Sequence, residues 1–280
     1  MDARSTDYAL FRRLHDEGCF LIPNPWDAGT AIALAALGFP ALATTSAGFS
    51  FSKGLPDSLA VLSVDDALRH IADIVAAVPL PVNADFQAGY AADLDEMARN
   101  VTRCVATGVA GLSIEDATGD AQQPLFELSE AAARVGAARS AINESGADVV
   151  LTGRAECFLF DHPDPLAESI KRLQAYADAG ADVLFAPGIR TREDIATLVD
   201  AVRPFPVNVL MSTYTGLTTS DLAQLGVRRI SVGSALSRVT WGAFLNAARE
   251  MLGEGTFHPL AEGTSFAELN ELFSSARDPS

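Results

Sequence analysis

Cysteine is scarce in this chain, and that scarcity is the first constraint. Only three occur among 280 residues, Cys19, Cys104 and Cys157, far apart and odd in number. They cannot make a disulfide framework and point to reduced thiols in a cytoplasmic protein. Long apolar runs are missing too. The longest, Ala31 to Leu37, is far short of a membrane span, and Gly38 and Pro40 break the chain just beyond it. Asp2 and Asp7 stand where a secretory leader has only bases, and no apolar core comes after them, so no signal peptide is expected. Positive charge is in deficit, with 20 Lys and Arg against 36 Asp and Glu and a formal net charge of −16. That balance argues against nucleic acid or an anionic membrane as partner. An anionic substrate would need a metal or local arginines to overcome the field.

What is present is an alternation of short apolar runs and longer amphipathic ones. Strands are predicted at Cys19–Pro23, Ala41–Thr44, Val82–Asp85, Leu112–Glu115, Val149–Thr152, Asp182–Phe185, Val207–Leu210 and Arg229–Val232. Each is followed by a helical pattern, from Trp26–Leu37 after the first to Ser234–Leu252 after the last. Ser63, Asp93 and Thr191 stand where N-caps belong. The long Ser- and Gly-rich exit from the second strand, Thr45 to Asp57, reads as a functional loop. Eight such units predict a (β/α)8 TIM barrel over residues 1–252. A doubly wound sheet is the rival, but no GxGxxG follows the first strand. Residues 253–280 read as a linker and one short helix, whose stripe of Phe266, Leu269, Leu272 and Phe273 packs on a barrel or on a neighbouring subunit.

The chain is organised around the third strand, Pro81-Val82-Asn83-Ala84-Asp85, which ends on an acid and opens into a glycine-bearing loop. One unit later Gly111-Leu112-Ser113-Ile114-Glu115 does the same. Two buried strands that each deliver a carboxylate at the catalytic end of a barrel make a seat for a hard cation. Asp85 could instead cap the next helix, although Asp93 is better placed for that. Arg154 at the end of the fifth strand suits an anionic group; its structural alternative is an ion pair with Glu156 or Asp161.

The segments Asn24-Pro25-Trp26-Asp27-Ala28, Ser46-Ala47-Gly48, Asp57, Asn83-Ala84-Asp85, Ile114-Glu115-Asp116 and Arg154-Ala155-Glu156 resemble the isocitrate lyase/phosphoenolpyruvate mutase superfamily. The resemblance implies a barrel enzyme with Mg2+, or Mn2+ as substitute, and the enolate of a 2-oxo acid as intermediate. It implies that Asp85 binds the metal directly while Asp57 and Glu115 hold its waters, with Gln87 where an acid is usual. Ser46, Ala47, Gly48 and Trp26 would hold the substrate, Arg154 its distal anionic group, and Asp57 and Arg154 would take part in catalysis. It also implies a homodimer or homotetramer.

Three departures matter. The lyase signature Lys-Lys/Arg-Cys-Gly-His is replaced by Ala117-Thr118-Gly119-Asp120-Ala121-Gln122-Gln123-Pro124; the lysine and asparagine of the mutase gating loop are missing; and Ala186 stands about where the mutase has a phosphonate-binding histidine. Cys157 and His162 read as a packing and a turn residue, not as replacement acids. The expectation is a Mg2+-dependent lyase cleaving a carbon–carbon bond of a small 2-oxo or 2-hydroxy di- or tricarboxylate. The alternatives are phosphonopyruvate-type phosphorus–carbon chemistry and a barrel that binds a 2-oxo acid without turnover.

Overall fold

Short apolar runs alternating with helices close here into one parallel barrel. A computed structural model describes residues 3–59 and 61–275. The strands are β1 (Phe20–Ile22), β2 (Leu42–Ala43), β3 (Val82–Asp85), β4 (Gly111–Glu115), β5 (Val150–Arg154), β6 (Val183–Phe185), β7 (Val207–Leu210) and β8 (Arg229–Ser231). They run parallel in the order β1-β8-β7-β6-β5-β4-β3-β2. The gap between β1 and β2 is bridged by the Ala43 N–H donating to the Pro23 carbonyl at 3.0 Å. Asn24 ties the seam further: its Oδ1 accepts from Val232 and Gly233 N–H, and its amide donates to the Thr44 carbonyl.

The helices are α1 (Ala3–Asp16), α2 (Ala28–Ala36), α3 (Ser46–Ser52), α4 (Val64–Ala77), α5 (Leu94–Ala106), α6 (Leu128–Ser145), α7 (Pro165–Asp178), α8 (Arg192–Ala201), α9 (Thr219–Gln224), α10 (Ala235–Gly253) and α11 (Phe266–Ser275). Ser63, Asp93 and Thr191 cap α4, α5 and α8 by side-chain acceptance from the third helical N–H. Gly146 ends α6 at φ 71°, a left-handed position where a side chain would be strained. The main core lies between strands and outer helices, with Phe86, Met97, Leu112, Leu151 and Leu184 buried. A second cluster plugs the N-terminal end of the barrel, where Phe11 of α1 packs with Phe20, Ile22, Val150 and Val183. No described helix is long and apolar enough to cross a membrane.

The exit from β2 is not the loop its composition predicts. Thr45 accepts from the Gly48 N–H and starts α3, a helix of seven residues rich in poor helix formers. Tertiary bonds compensate: both the N–H and Oγ of Ser46 donate to Asp85 Oδ2. Gly48 is required there, because a Cβ would come within 2.6 Å of Thr45 Cγ2. The loop after β4 is tight as well, pinned by a bridge between Ala117 and Leu125 and by Thr118 N–H to the Pro124 carbonyl.

The last outer helix departs from barrel habit. Ser237 is the one buried residue of α10, and Val239, Trp241, Phe244, Leu245 and Leu252 are all exposed. α11 runs against α2 but leaves Phe266, Leu269 and Phe273 uncovered.

Candidate active site

β3, β4 and β5 bring Asp85, Glu115 and Arg154 to the same end of the barrel, each the last residue of its strand. Arg154 Nη1 lies 3.2 Å from Asp85 Oδ1 and 3.0 Å from Glu115 Oε2, while its Nε donates to Glu156 Oε1. One guanidinium therefore serves three carboxylates. The predicted pair with Glu156 is present, and both acids of the metal seat join it. The same end holds a cavity of about 230 Å³ lined by Ser46, Ala47, Asp57, Asp85, Arg154 and Phe185, among others. A larger cleft at the opposite end, about 680 Å³, carries Arg12, Asp182 and Arg203. Arg12 and Arg203 there are already paired with Asp148, Asp182 and Asp200, which leaves the carboxylate-rich cavity at the strand C-terminal end as the candidate site.

The charges there do not balance. Burial raises the pKa of Glu115 well above the usual glutamate value, against the pull of Arg154 and with Glu156 and Asp85 adding to the rise. Burial likewise raises Glu156 despite Arg154. Asp57, at the exposed rim, is raised by partial desolvation and then by the Asp85 charge. Arg154 is opposed by burial but driven up overall by Glu115, Glu156 and Asp85. Four acids around one cation leave the site short of positive charge. A hard divalent cation fits this donor set, because carboxylate oxygens already converge on a cation and hold more negative charge than Arg154 offsets. Asp85, Glu115 and Asp57 are the residues that would hold it. Among the described residues no ready-made cluster of three such ligands exists while Arg154 occupies their midst.

A second ring fixes this arrangement. Buried Asp116 accepts from the Glu156 N–H through Oδ1 and from Arg172 Nη1 (2.9 Å) and Tyr176 OH (2.6 Å) through Oδ2. Arg172 also donates to the Phe126 carbonyl, tying the end of loop 117–127 to the same anchor. Thr44 Oγ1 accepts from the Asp85 N–H at 2.9 Å.

The remaining predicted residues fall differently. Ala47 lines the cavity, but the Gly48 N–H is spent on Thr45 Oγ1. Trp26 stands outside the cavity, against Ser237, Trp241 and Phe244. The chain turns away there because Trp26 and Asp27 N–H both donate to Thr30 Oγ1, in the capping box that starts α2. Gln87 is buried at a left-handed φ of 47° and is not on the cavity wall; its carbonyl accepts the Glu115 N–H. Cys157 is buried, with a thiol pKa pushed up to about 11 by burial, which keeps it protonated and inert.

Sequence reasoning missed the polar floor of the cavity: Asn83, Ser113, Asn208, Arg229 and Ser231. The available signal was period two, since Asn83, Ser113 and Ser231 each stand two residues from a strand-end or wall residue on the same inward face.

The sequence matches the family described as phosphoenolpyruvate phosphomutase over residues 11–252. The uncharacterized protein Rv1998c of Mycobacterium tuberculosis (strain ATCC 25618 / H37Rv) is 34% identical over 264 residues, 92% of this chain and 94% of that one. The 2-methylisocitrate lyase of Escherichia coli (strain K12) is 28% identical over 288 residues, covering 98% of this chain and 93% of its own. A crystal structure from Burkholderia cenocepacia J2315, provisionally described as a lyase/mutase, superposes with a TM-score of 0.93 at 45% identity, over 100% of this chain and 99% of that one.

Proposed function

The chain belongs to the phosphoenolpyruvate phosphomutase family, within the isocitrate lyase/phosphoenolpyruvate mutase superfamily of enzymes, and from that premise we propose that it is a Mg2+-dependent carbon–carbon lyase. Its substrate is a small 2-oxo or 2-hydroxy di- or tricarboxylate, cleaved so that the electron pair settles as an enolate. That enolate is the 2-oxo acid's when a 3-carboxy-2-oxo acid loses carbon dioxide. It is the departing carboxylate's when a 2-hydroxy acid gives up its hydroxyl proton and becomes the 2-oxo acid. The observation that carries this reading is the convergence of Asp85 and Glu115 on one cation, with Asp57 at the rim and Glu156 behind. Bound there, Mg2+ or Mn2+ supplies charge stabilisation for the oxygen on which negative charge develops.

The chain's own residues do the rest. Ser46, at the start of α3 on the cavity edge, gives its backbone N–H and hydroxyl to Asp85 Oδ2 and so orients that carboxylate. Arg154 is a permanent cation poised between acids and substrate, and Glu156, itself fixed by Asp116, sets its position. Its planar fork is suited to a carboxylate. Loop 117–127 brings no cysteine, histidine or lysine, so water protonates the departing enolate. That favours decarboxylation-type cleavage, which needs an electron sink more than a protein acid. Phosphorus–carbon chemistry is less well supported, because the buried Ala186 offers no anchor for a phosphonate. The same loop is the observation that favours a second reading, a barrel that binds a 2-oxo acid without turning it over.

Assembly and place are read on the same lines. The uncovered apolar side of α10 and α11 favours a homodimer or homotetramer, residues 253–280 serving as an appendix to the barrel. Three unpaired cysteines and an acidic surface favour the cytoplasm and a small-molecule partner over nucleic acid or membrane. Proton NMR of a panel of such acids, incubated with enzyme and Mg2+, tests the reading. A new 2-oxo acid should appear with Mg2+ and not with chelator; bound but unchanged acids would favour the second reading.

A further inference from the structure

At the floor of the cavity the barrel holds a charge that the proposed reaction leaves unused. Arg229 of β8 reaches across the interior: its Nε donates to Asn208 Oδ1 (2.9 Å) and its Nη2 to Thr152 Oγ1 on β5 (3.0 Å). Its Nη1 lies 3.3 Å from His15 Nε2. His15 Nδ1 is 2.8 Å from the Phe11 carbonyl, which only accepts, so the ring proton sits on Nδ1 and Nε2 is an acceptor. Burial and the Arg229 charge lower the His15 pKa to about 3, so the ring is neutral. Every partner of Arg229 is therefore uncharged, and among the described residues it forms no ion pair. The residue is only 3% exposed. Burial pulls its pKa down to about 9, which leaves it protonated at neutral pH. A buried cation without a counter-charge is costly, and three of its five N–H groups account for all the bonds it makes.

A separate observation points into the same space. Asn83 lines this cavity, and its Oδ1 is a buried acceptor with no donor. Ser113, Asn208 and Ser231 complete the wall. Barrels ordinarily fill this tier with branched apolar side chains. Here it is polar on its upper side, and Gly111 lets the Asn83 side-chain carbonyl and the Phe11 ring below it approach the strand, since a Cβ would come within 2.7 Å of Asn83 Oδ1 and 2.6 Å of Phe11 Cε1.

We propose that this tier is a binding site for a small anionic group, a carboxylate head or an inorganic anion of similar size, held by Arg229 with the surrounding amide and hydroxyl groups. A hydroxyl or an accompanying water satisfies Asn83 Oδ1. Arg154 does not compete for the anion while three carboxylates share its guanidinium. The two arginines stand one tier apart, as Thr152 and Arg154 do on β5, about 7 Å along the strand. A free anion and the carboxylate end of a bound acid present the same chemistry to Arg229.

The test uses bromide on the full chain in chelator, so it does not depend on the lyase reading. Crystals soaked in sodium bromide should show an anomalous peak in contact with Arg229 inside the barrel. Loss of that peak on adding malonate identifies a carboxylate head as the natural occupant; a peak that malonate leaves in place identifies an inorganic anion. In solution, bromide and formate should raise the melting temperature saturably over sodium HEPES, a bulky sulfonate without a carboxylate, at equal ionic strength. Arg229→Gln should weaken that protection about tenfold or more, while Arg229→Lys, which keeps the charge, should retain part of it. Bromide found only on the outer surface of wild-type crystals, or equal protection of a folded Arg229→Gln protein, would overturn the site.

Discussion

Arg154 Nη1 stands 3.0 Å from Glu115 Oε2, so the strand-end cation occupies the space between the acids that a metal would claim. A divalent ion would thus be a rival of Arg154 for the same carboxylates, and its binding would free the guanidinium to face substrate. Arg154→Ala should raise the apparent KM roughly ten- to a hundredfold, the loss expected for a charge-assisted contact to a carboxylate. Steady-state kinetics check this. An unchanged KM with a lowered melting temperature would make Arg154 a structural counter-ion only.

The charge imbalance predicts how metal and pH interact. Glu115 and Glu156 have folded pKa values raised by burial, so the stability they contribute is full below their unfolded value and is lost as pH rises through the folded one. His15 and His70, lowered to about 3 and about 4 by burial, act oppositely, losing stability only as pH falls below the usual histidine value. Those histidine contributions are common to metal-free and metal-loaded protein and cancel in the difference between them. The melting-temperature gain from Mg2+ should therefore grow as pH rises from about 5 to 8, because the ion binds the ionised carboxylates. A scan with Mg2+ and with EDTA checks it; a gain that is flat or shrinks with pH would contradict the account.

Gln87 gives a test of the donor set. A glutamate there adds a charge at a buried position behind the cavity wall, which is unfavourable alone and attracts a divalent ion held by Asp85 and Glu115. Gln87→Glu should lower the melting temperature of metal-free protein and tighten Mg2+ binding, whereas Asp85→Ala should abolish binding. Titration calorimetry separates the two. If Gln87→Glu leaves Mg2+ affinity unchanged, Gln87 acts through its backbone carbonyl alone.

Much of this was legible in the sequence, and the misses have physical reasons. Asp85, Glu115 and Arg154 could be placed because short strands that end on charged residues leave little freedom in where those residues go. The caps at Ser63, Asp93 and Thr191 were readable because capping is local. α3 was not, since Ser46-Ala47-Gly48 has little helix propensity and the helix depends on Asp85, 39 residues away. Trp26 lies off the cavity wall because the Asp27–Thr30 box, not the residue type, decides where the chain turns. Arg229 reads as an ordinary strand residue until His15, Thr152 and Asn208 are brought together around it.

The exposed side of α10 predicts assembly. Trp241 packs edge-on to Phe244 with both rings exposed, and Leu245 and Leu252 extend the patch. Light scattering on a sizing column should give a dimer or tetramer at micromolar concentration. Trp241→Glu with Phe244→Glu should shift it toward monomer. A monomeric parent would remove oligomerisation from the account.

Loop 117–127 offers no proton donor, so Gln122→Ala and Gln123→Ala should each change kcat only modestly, within about threefold, as expected of exposed positions away from the reacting groups. Loss of most activity in either variant would place the missing acid–base group on this loop.

Pyruvate release, monitored by coupled reduction over a panel of four- to six-carbon 2-oxo and 2-hydroxy acids, tests the central claim most directly. At least one acid should yield pyruvate or a close 2-oxo homologue with the wild-type chain and Mg2+, and none with EDTA or with folded Asp85→Ala. Release that persists undiminished in Asp85→Ala, or that ignores the metal, would contradict the assignment of this site.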